Sequence, residues 1–136
     1  MKWVLRGVLL WSLALSACAM QQVNAGEELD RSVKAFNRML RWREVEQAGT
    51  SYVEQGRQEE FRKQAEVLKK RGITITDFRI ISTKYLPEKK TGEVVTEFDY
   101  YILPSNSVKT ISYRQEWIYQ EPTKNWKITS GLEPFE

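Results

Sequence analysis

Histidine is absent from all 136 residues. That removes the commonest general acid/base and the commonest metal ligand. It also means that no Ser-His or Cys-His nucleophile can be assembled. There is one cysteine, Cys18, so no internal disulfide can form. No zinc-ligand set and no glycine-rich phosphate loop of known spacing occurs, and nothing in the chain implies a cofactor. Long hydrophobic runs are missing too. The main apolar stretch, Val8 to Leu15 (VLLWSLAL), falls well short of the roughly 20 residues that cross a bilayer core. The net charge is only +3, and it drops to about +1 without the basic side chains of Lys2 and Arg6. Charge therefore gives no reason to expect a nucleic-acid partner.

Aromatic residues are not scarce. Five Trp, six Tyr and five Phe give a single domain enough large apolar surface for a core, and disordered chains lack such groups.

The N-terminus has the three zones of a secretory signal peptide: Lys2 and Arg6, the apolar stretch, then small Ser16 and Ala17. The sequence Leu15-Ser16-Ala17-Cys18 resembles the lipobox of bacterial lipoproteins. In that family the cysteine thiol takes a diacylglycerol, the leader is cut before it, and the new amine is acylated. The resemblance implies a signal peptide over residues 1–17. Cys18 is then the lipid attachment point, and residues 18–28 include a short polar tether. Two or more acyl chains anchor stably where one does not. An aspartate after the cysteine often marks inner-membrane retention in such lipoproteins. Here that position is Ala19, which favours the outer membrane, facing the periplasm. The rival reading is ordinary cleavage after Val23-Asn24-Ala25, which would leave Cys18 in a discarded leader.

From Glu27 to about Arg43, Leu29, Val33, Phe36 and Leu40 recur in steps of four, three and four, which predicts an amphipathic helix. Val45, Ala48 and Tyr52 continue it or start a second, with a break expected at Gly49. Ser51-x-x-Glu54 is a candidate capping box. Gln58 to Arg71 predicts a third helix on Phe61, Ala65 and Leu68, with Glu59–Lys63 and Glu66–Lys70 pairs and Gly72 at its end. After Gly72 β-branched residues take over. Strands are expected at Ile73–Thr83, Glu93–Leu103, Val108–Gln120 and Asn125–Ser130. Pairing Gln120 with Asn125 brings Tyr119 opposite Trp126 and Trp117 opposite Ile128, so the large side chains share one face. The expected fold class is α+β: about three N-terminal helices on a curved four-stranded antiparallel sheet, occupying residues 29–136.

Helices followed by such a meander, ending in Glu116–Ile128 (EWIYQEPTKNWKI), resemble the nuclear transport factor 2-like fold, a sheet wrapped over helices into a cone. The cystatin-like fold, with one helix, is the structural rival. The resemblance spans roughly Leu29 to Ser130. It implies one of two kinds of activity. Some members are isomerases, dehydratases or polyketide cyclases of the SnoaL-like kind. Others bind proteins or small molecules, often as sheet-mediated homodimers. Family enzymes use Asp–His or Tyr–Asp pairs, and the first is impossible here. Weak catalytic candidates are Asp77 and Glu44 with Tyr100 or Tyr113, set against the plainer reading of Asp77 and Arg79 as a bulge or solvated face. The candidate ligand-binding rings are Trp42, Tyr52, Phe98, Tyr100, Tyr113, Trp117 and Trp126, set against the plainer reading that they are the core of a small domain. The expected partners are a membrane through acylated Cys18, and either an envelope protein or a small apolar ligand. A protein partner could use Tyr101 and Leu103 beside Glu97 and Asp99.

Overall fold

The computed structural model describes residues 25–135. Cys18 and the leader lie outside the described residues. Helix α1 spans 25–41, followed by α2, Val45–Tyr52, and α3, Gln58–Lys70. Strands β1 (Ile73–Leu86), β2 (Thr91–Ile102), β3 (Lys109–Gln120) and β4 (Asn125–Ile128) lie side by side in chain order, all antiparallel. A short 3₁₀ turn, Glu133–Phe135, follows. The fold is therefore α+β, with three N-terminal helices packed on one face of the sheet.

Helix α1 buries the expected stripe: Leu29, Val33, Phe36 and Leu40 are at most 2 % exposed. It is in place from residue 25, inside the stretch expected as tether. The first break falls at residues 42–44, where Arg43 adopts φ 65, and not at Gly49. Gly49 lies within α2, where a Cβ would sit 2.8 Å from Cδ1 of Phe61. Its role is to let α2 lie directly on α3. The capping box does not form. The Glu54 carboxylate instead accepts from the Gly56 N–H at 3.0 Å, at the start of a 3₁₀ turn, Gln55–Arg57. In α3 the two expected Glu–Lys pairs give way to Arg62, which reaches Glu59 at 2.7 Å and Glu66 at 2.6 Å. One planar guanidinium serves two carboxylates better than an ammonium serves one.

The β3–β4 register is the expected one, with Trp117 opposite Ile128, Tyr119 opposite Trp126 and Gln120 opposite Asn125. The first hairpin is longer than expected: Lys84, Tyr85 and Leu86 pair with Glu93, Gly92 and Thr91. Strand β4 is shorter and stops at Ile128. Register shifts interrupt β1 between Ile75 and Asp77 and between Ile80 and Ser82. Such bulges bend a strand and sharpen its twist.

The sheet curls without closing, most tightly at the end holding the β1–β2 and β3–β4 turns. Gly92 lets α1 lie close on this end of the sheet, because a Cβ there would lie 2.5 Å from Cδ2 of buried Leu29. Across it, Tyr85 of the first strand meets Trp126 of the fourth at 5.7 Å between ring centroids. The outer edge of β4 is covered. Val53 bridges Ile128 in parallel, and the Glu54 N–H donates to the Ile128 carbonyl at 2.9 Å. Strand β1 forms the other edge.

Candidate functional site

The hollow of the curled sheet is where a ligand or a reacting group would have to sit. Inward-facing residues of β2 and β3 alternate as expected, and the helices close over them. The candidate rings divide into three groups there. Trp117 is 0 % exposed. It stands edge-on to Phe36 at 5.6 Å and to half-buried Tyr52 at 6.4 Å, under the helices. Phe98, Tyr100 and Tyr113 gather around Phe135, whose ring lies 5.3, 6.1 and 6.0 Å from theirs. Trp126 belongs to the curled end, between Tyr85 and Tyr119. These separations and tilts are those of packed aromatic pairs. The seventh ring is elsewhere. Trp42 is 63 % exposed, at the far end of α1, with the Arg41 guanidinium 4.8 Å from its ring.

The plug was not foreseen from the sequence. Phe135 follows the last expected strand, in a segment with no periodicity. Its signal was only that an aromatic residue stands near the end of a short tail, beside Leu132 and Pro134. Gln64 holds the segment down by accepting from the Leu132 N–H at 2.8 Å. Arg71 does the same by donating to the Phe135 carbonyl at 2.9 Å.

Polar groups in the hollow are few and neutral. Asn37 and Gln115 are both fully buried. Gln115 donates from Nε2 to Asn37 Oδ1 at 2.6 Å, and Asn37 Nδ2 donates to the Val33 carbonyl at 2.8 Å. The Tyr113 hydroxyl donates to the Gly131 carbonyl at 2.6 Å, and its burial pushes its pKa well above the ordinary phenol range. The Thr96 hydroxyl is buried without a partner among the described residues.

No carboxylate is among the buried side chains of the described residues. Glu44 is exposed, in the link between α1 and α2. Asp77 is exposed at the first bulge, with Oδ1 4.0 Å from Nε of Arg41. Of the two readings of Asp77 and Arg79, the geometry is that of the bulge and solvated face. Neither acid approaches Tyr100 or Tyr113 from inside the sheet, so the desolvation that would make a general base of it is missing.

The outer face of the sheet is polar and internally paired. Arg79 grips Asp99 with both terminal nitrogens, at 2.8 and 3.0 Å, and reaches Glu97 at 3.6 Å. Thr110 adds a third bond to Asp99 at 2.7 Å. The Arg79 hydrogen bonds, followed by that from Thr110, hold the Asp99 carboxyl down at about 2. Glu97 and Asp99, expected beside Tyr101 and Leu103 on a docking face, are thus already engaged.

An open groove of about 610 Å³ lies where β4 ends and β3 runs on, with the candidate ring Tyr113 and its partner Gly131 in its wall. Arg57, Arg114, Glu116 and Glu133 give it mixed charge. It exists because β4 stops two residues earlier than the sequence suggested. The described residues contain no cluster of three or more acidic or cysteine side chains able to hold a metal ion. They also contain no helix long and apolar enough to cross a membrane.

No protein-family model matches this chain, and no curated protein matches it in sequence. Among solved structures it is similar to the crystal structure of the intermembrane space region of chloroplast protein ARC6. The TM-score is 0.53 and the identity 12 %, covering 76 % of this chain and 92 % of that one. At that identity the likeness is one of fold.

Proposed function

We propose that this chain is a lipid-anchored protein of the bacterial envelope. In this reading its domain, resembling the nuclear transport factor 2-like fold, is a non-catalytic module that binds another envelope protein. The anchor would be Cys18, and the outer membrane, on its periplasmic face, the place. One observation carries the choice of a protein partner over an apolar ligand or a proton-transfer reaction: the hollow is filled. Phe98, Tyr113, Trp117 and Trp126 are each at most 1 % exposed, and Phe135 seals three of the inner rings. A small ligand would have to displace packed aromatic rings, and an isomerase would need a carboxylate that the hollow does not contain.

Two measurements test the two halves of this reading. Intact mass of membrane-extracted protein, beside a Cys18→Ala variant, tests the anchor. A mass of residues 18–136 plus acyl chains, lost in the variant, is the expected result. A chain starting near Gly26 with no acyl mass overturns it. Titration with an environment-sensitive apolar dye tests the filled hollow. No saturable binding by the native domain is expected, and stoichiometric binding that quenches tryptophan emission would restore the ligand reading.

A further inference from the structure

The described part of the chain begins at one particular place on the domain. The Ala25 carbonyl accepts from Nε1 of Trp126 at 2.8 Å. A Cβ on Gly26 would lie 3.4 Å from the Tyr85 ring. Both contacts are at the curled end of the sheet, beside the turns that join β1 to β2 and β3 to β4. The two turns lie together: the Tyr119 N–H donates to the Lys90 carbonyl at 2.9 Å, and the Lys90 ammonium pairs with Glu121.

Cys18 precedes Ala25 by seven residues. A chain that long spans at most about 25 Å, since a residue reaches no more than ~3.6 Å. The strands themselves are about 40 Å long at ~3.3 Å per residue. If lipid holds Cys18, the leash is shorter than the domain and keeps the curled end within about 25 Å of the membrane. This step rests on the lipoprotein reading above.

The chemistry of that end suits headgroups. Its tips are exposed and carry Lys84, Lys89, Lys90 and Lys124 against Glu88 and Glu121. The neighbouring acids Glu27, Asp30 and Glu93 are paired with Arg31, Lys34 and Arg114, and Glu28 is exposed at the start of α1. Both turns also place a lysine in the left-handed region, Lys90 and Lys124 each at φ 51, where glycine or asparagine is the cheaper residue. Juxtamembrane lysines of this kind are drawn to anionic lipid.

We propose that the curled end, with Lys89, Lys90 and Lys124 at its tips, rests on the anionic phospholipid headgroups of the anchoring membrane. The 103–108 loop then faces away. Acylation leaves the protein without a free thiol, so a single new cysteine can be labelled cleanly. The experiment uses full-length acylated protein in vesicles of phosphatidylethanolamine and phosphatidylglycerol, with a fluorophore on Lys89→Cys, Lys124→Cys or Ser105→Cys and a quencher on the lipid headgroup. Strong quenching at 89 and 124, at least about threefold that at 105, is expected. It should weaken about threefold in vesicles of phosphatidylcholine alone. Equal quenching at all three positions, or more at 105, overturns the orientation. Quenching at 89 and 124 that is unchanged in phosphatidylcholine overturns the headgroup contact. Intact mass on the same samples separates the failures: without acyl mass the lipoprotein reading falls and takes this one with it, and with acyl mass present only the orientation is at fault.

Discussion

The amides of Asn37 and Gln115 meet head to head, Nε2 to Oδ1 at 2.6 Å, with neither side chain reaching solvent. They are a polar pin between α1 and β3 in a largely apolar interior. Replacing Asn37 with Leu leaves Gln115 Nε2 without its acceptor, while Gln115 Oε1 keeps the Trp117 Nε1 donor at 3.4 Å, and it removes the donor to the Val33 carbonyl. Leaving a buried amide unpaired costs about 1–3 kcal/mol. The Asn37→Leu/Gln115→Leu double variant should be clearly more stable than the sum of the two single losses. Urea unfolding of the four proteins checks this, and strict additivity would show that the pair is not coupled.

Gly92 should accept no side chain. An alanine there drives its Cβ against Leu29, which is 0 % exposed and has nowhere to retreat. A loss of about 1–3 kcal/mol is expected for Gly92→Ala. Trimming the obstacle with Leu29→Ala should make the second change cheaper in that background than in the native one. Thermal midpoints of the two single variants and the double variant give the comparison.

Thr96→Val removes the one buried hydroxyl that lacks a partner among the described residues. Valine has nearly the same shape, so stability should be unchanged or should rise by up to about 1 kcal/mol. A loss greater than about 1 kcal/mol would mean that the hydroxyl has a partner in solution.

Asp99 should titrate near pH 2, because hydrogen bonds from Arg79 and then Thr110 favour its charged form. A carboxyl depressed in the folded state stabilises the fold above its unfolded pKa. That contribution is lost as pH falls through the folded value. The window therefore lies between about pH 4 and pH 2. Carbon-13 chemical shifts of the Asp99 carboxyl follow it directly. In Arg79→Ala the midpoint should move up towards the ordinary aspartate range, and a midpoint that stays put would assign the shift to another cause.

The layers, the strand order and the β3–β4 register were legible in the sequence because each rests on a repeated pattern. Four apolar residues specify α1, and two tryptophans with a tyrosine and an isoleucine admit only one pairing across Glu121–Lys124. What escaped notice depends on single contacts between distant residues. Gly49 looks like a helix break until Phe61 is seen against it. Arg62 takes both of its acids at ordinary i, i+3 and i, i+4 spacing, where it competes with the lysines for the same carboxylates. Phe135 closes the hollow from a tail with no periodicity. The candidate rings were identified mostly as residues of the interior, and six of the seven lie there at least in part. Trp42 completes the spacing of α1 but falls at its last turn, where the sheet no longer covers it.

The two edges of the sheet differ in kind. Val53 and Glu54 cover the free side of β4 at Ile128, and among the described residues no strand lies along β1. Growth of a fibre by edge pairing needs two open sides on every molecule. The described residues offer β1 as the open side, so edge pairing between copies joins β1 to β1 across a two-fold axis and stops at the pair.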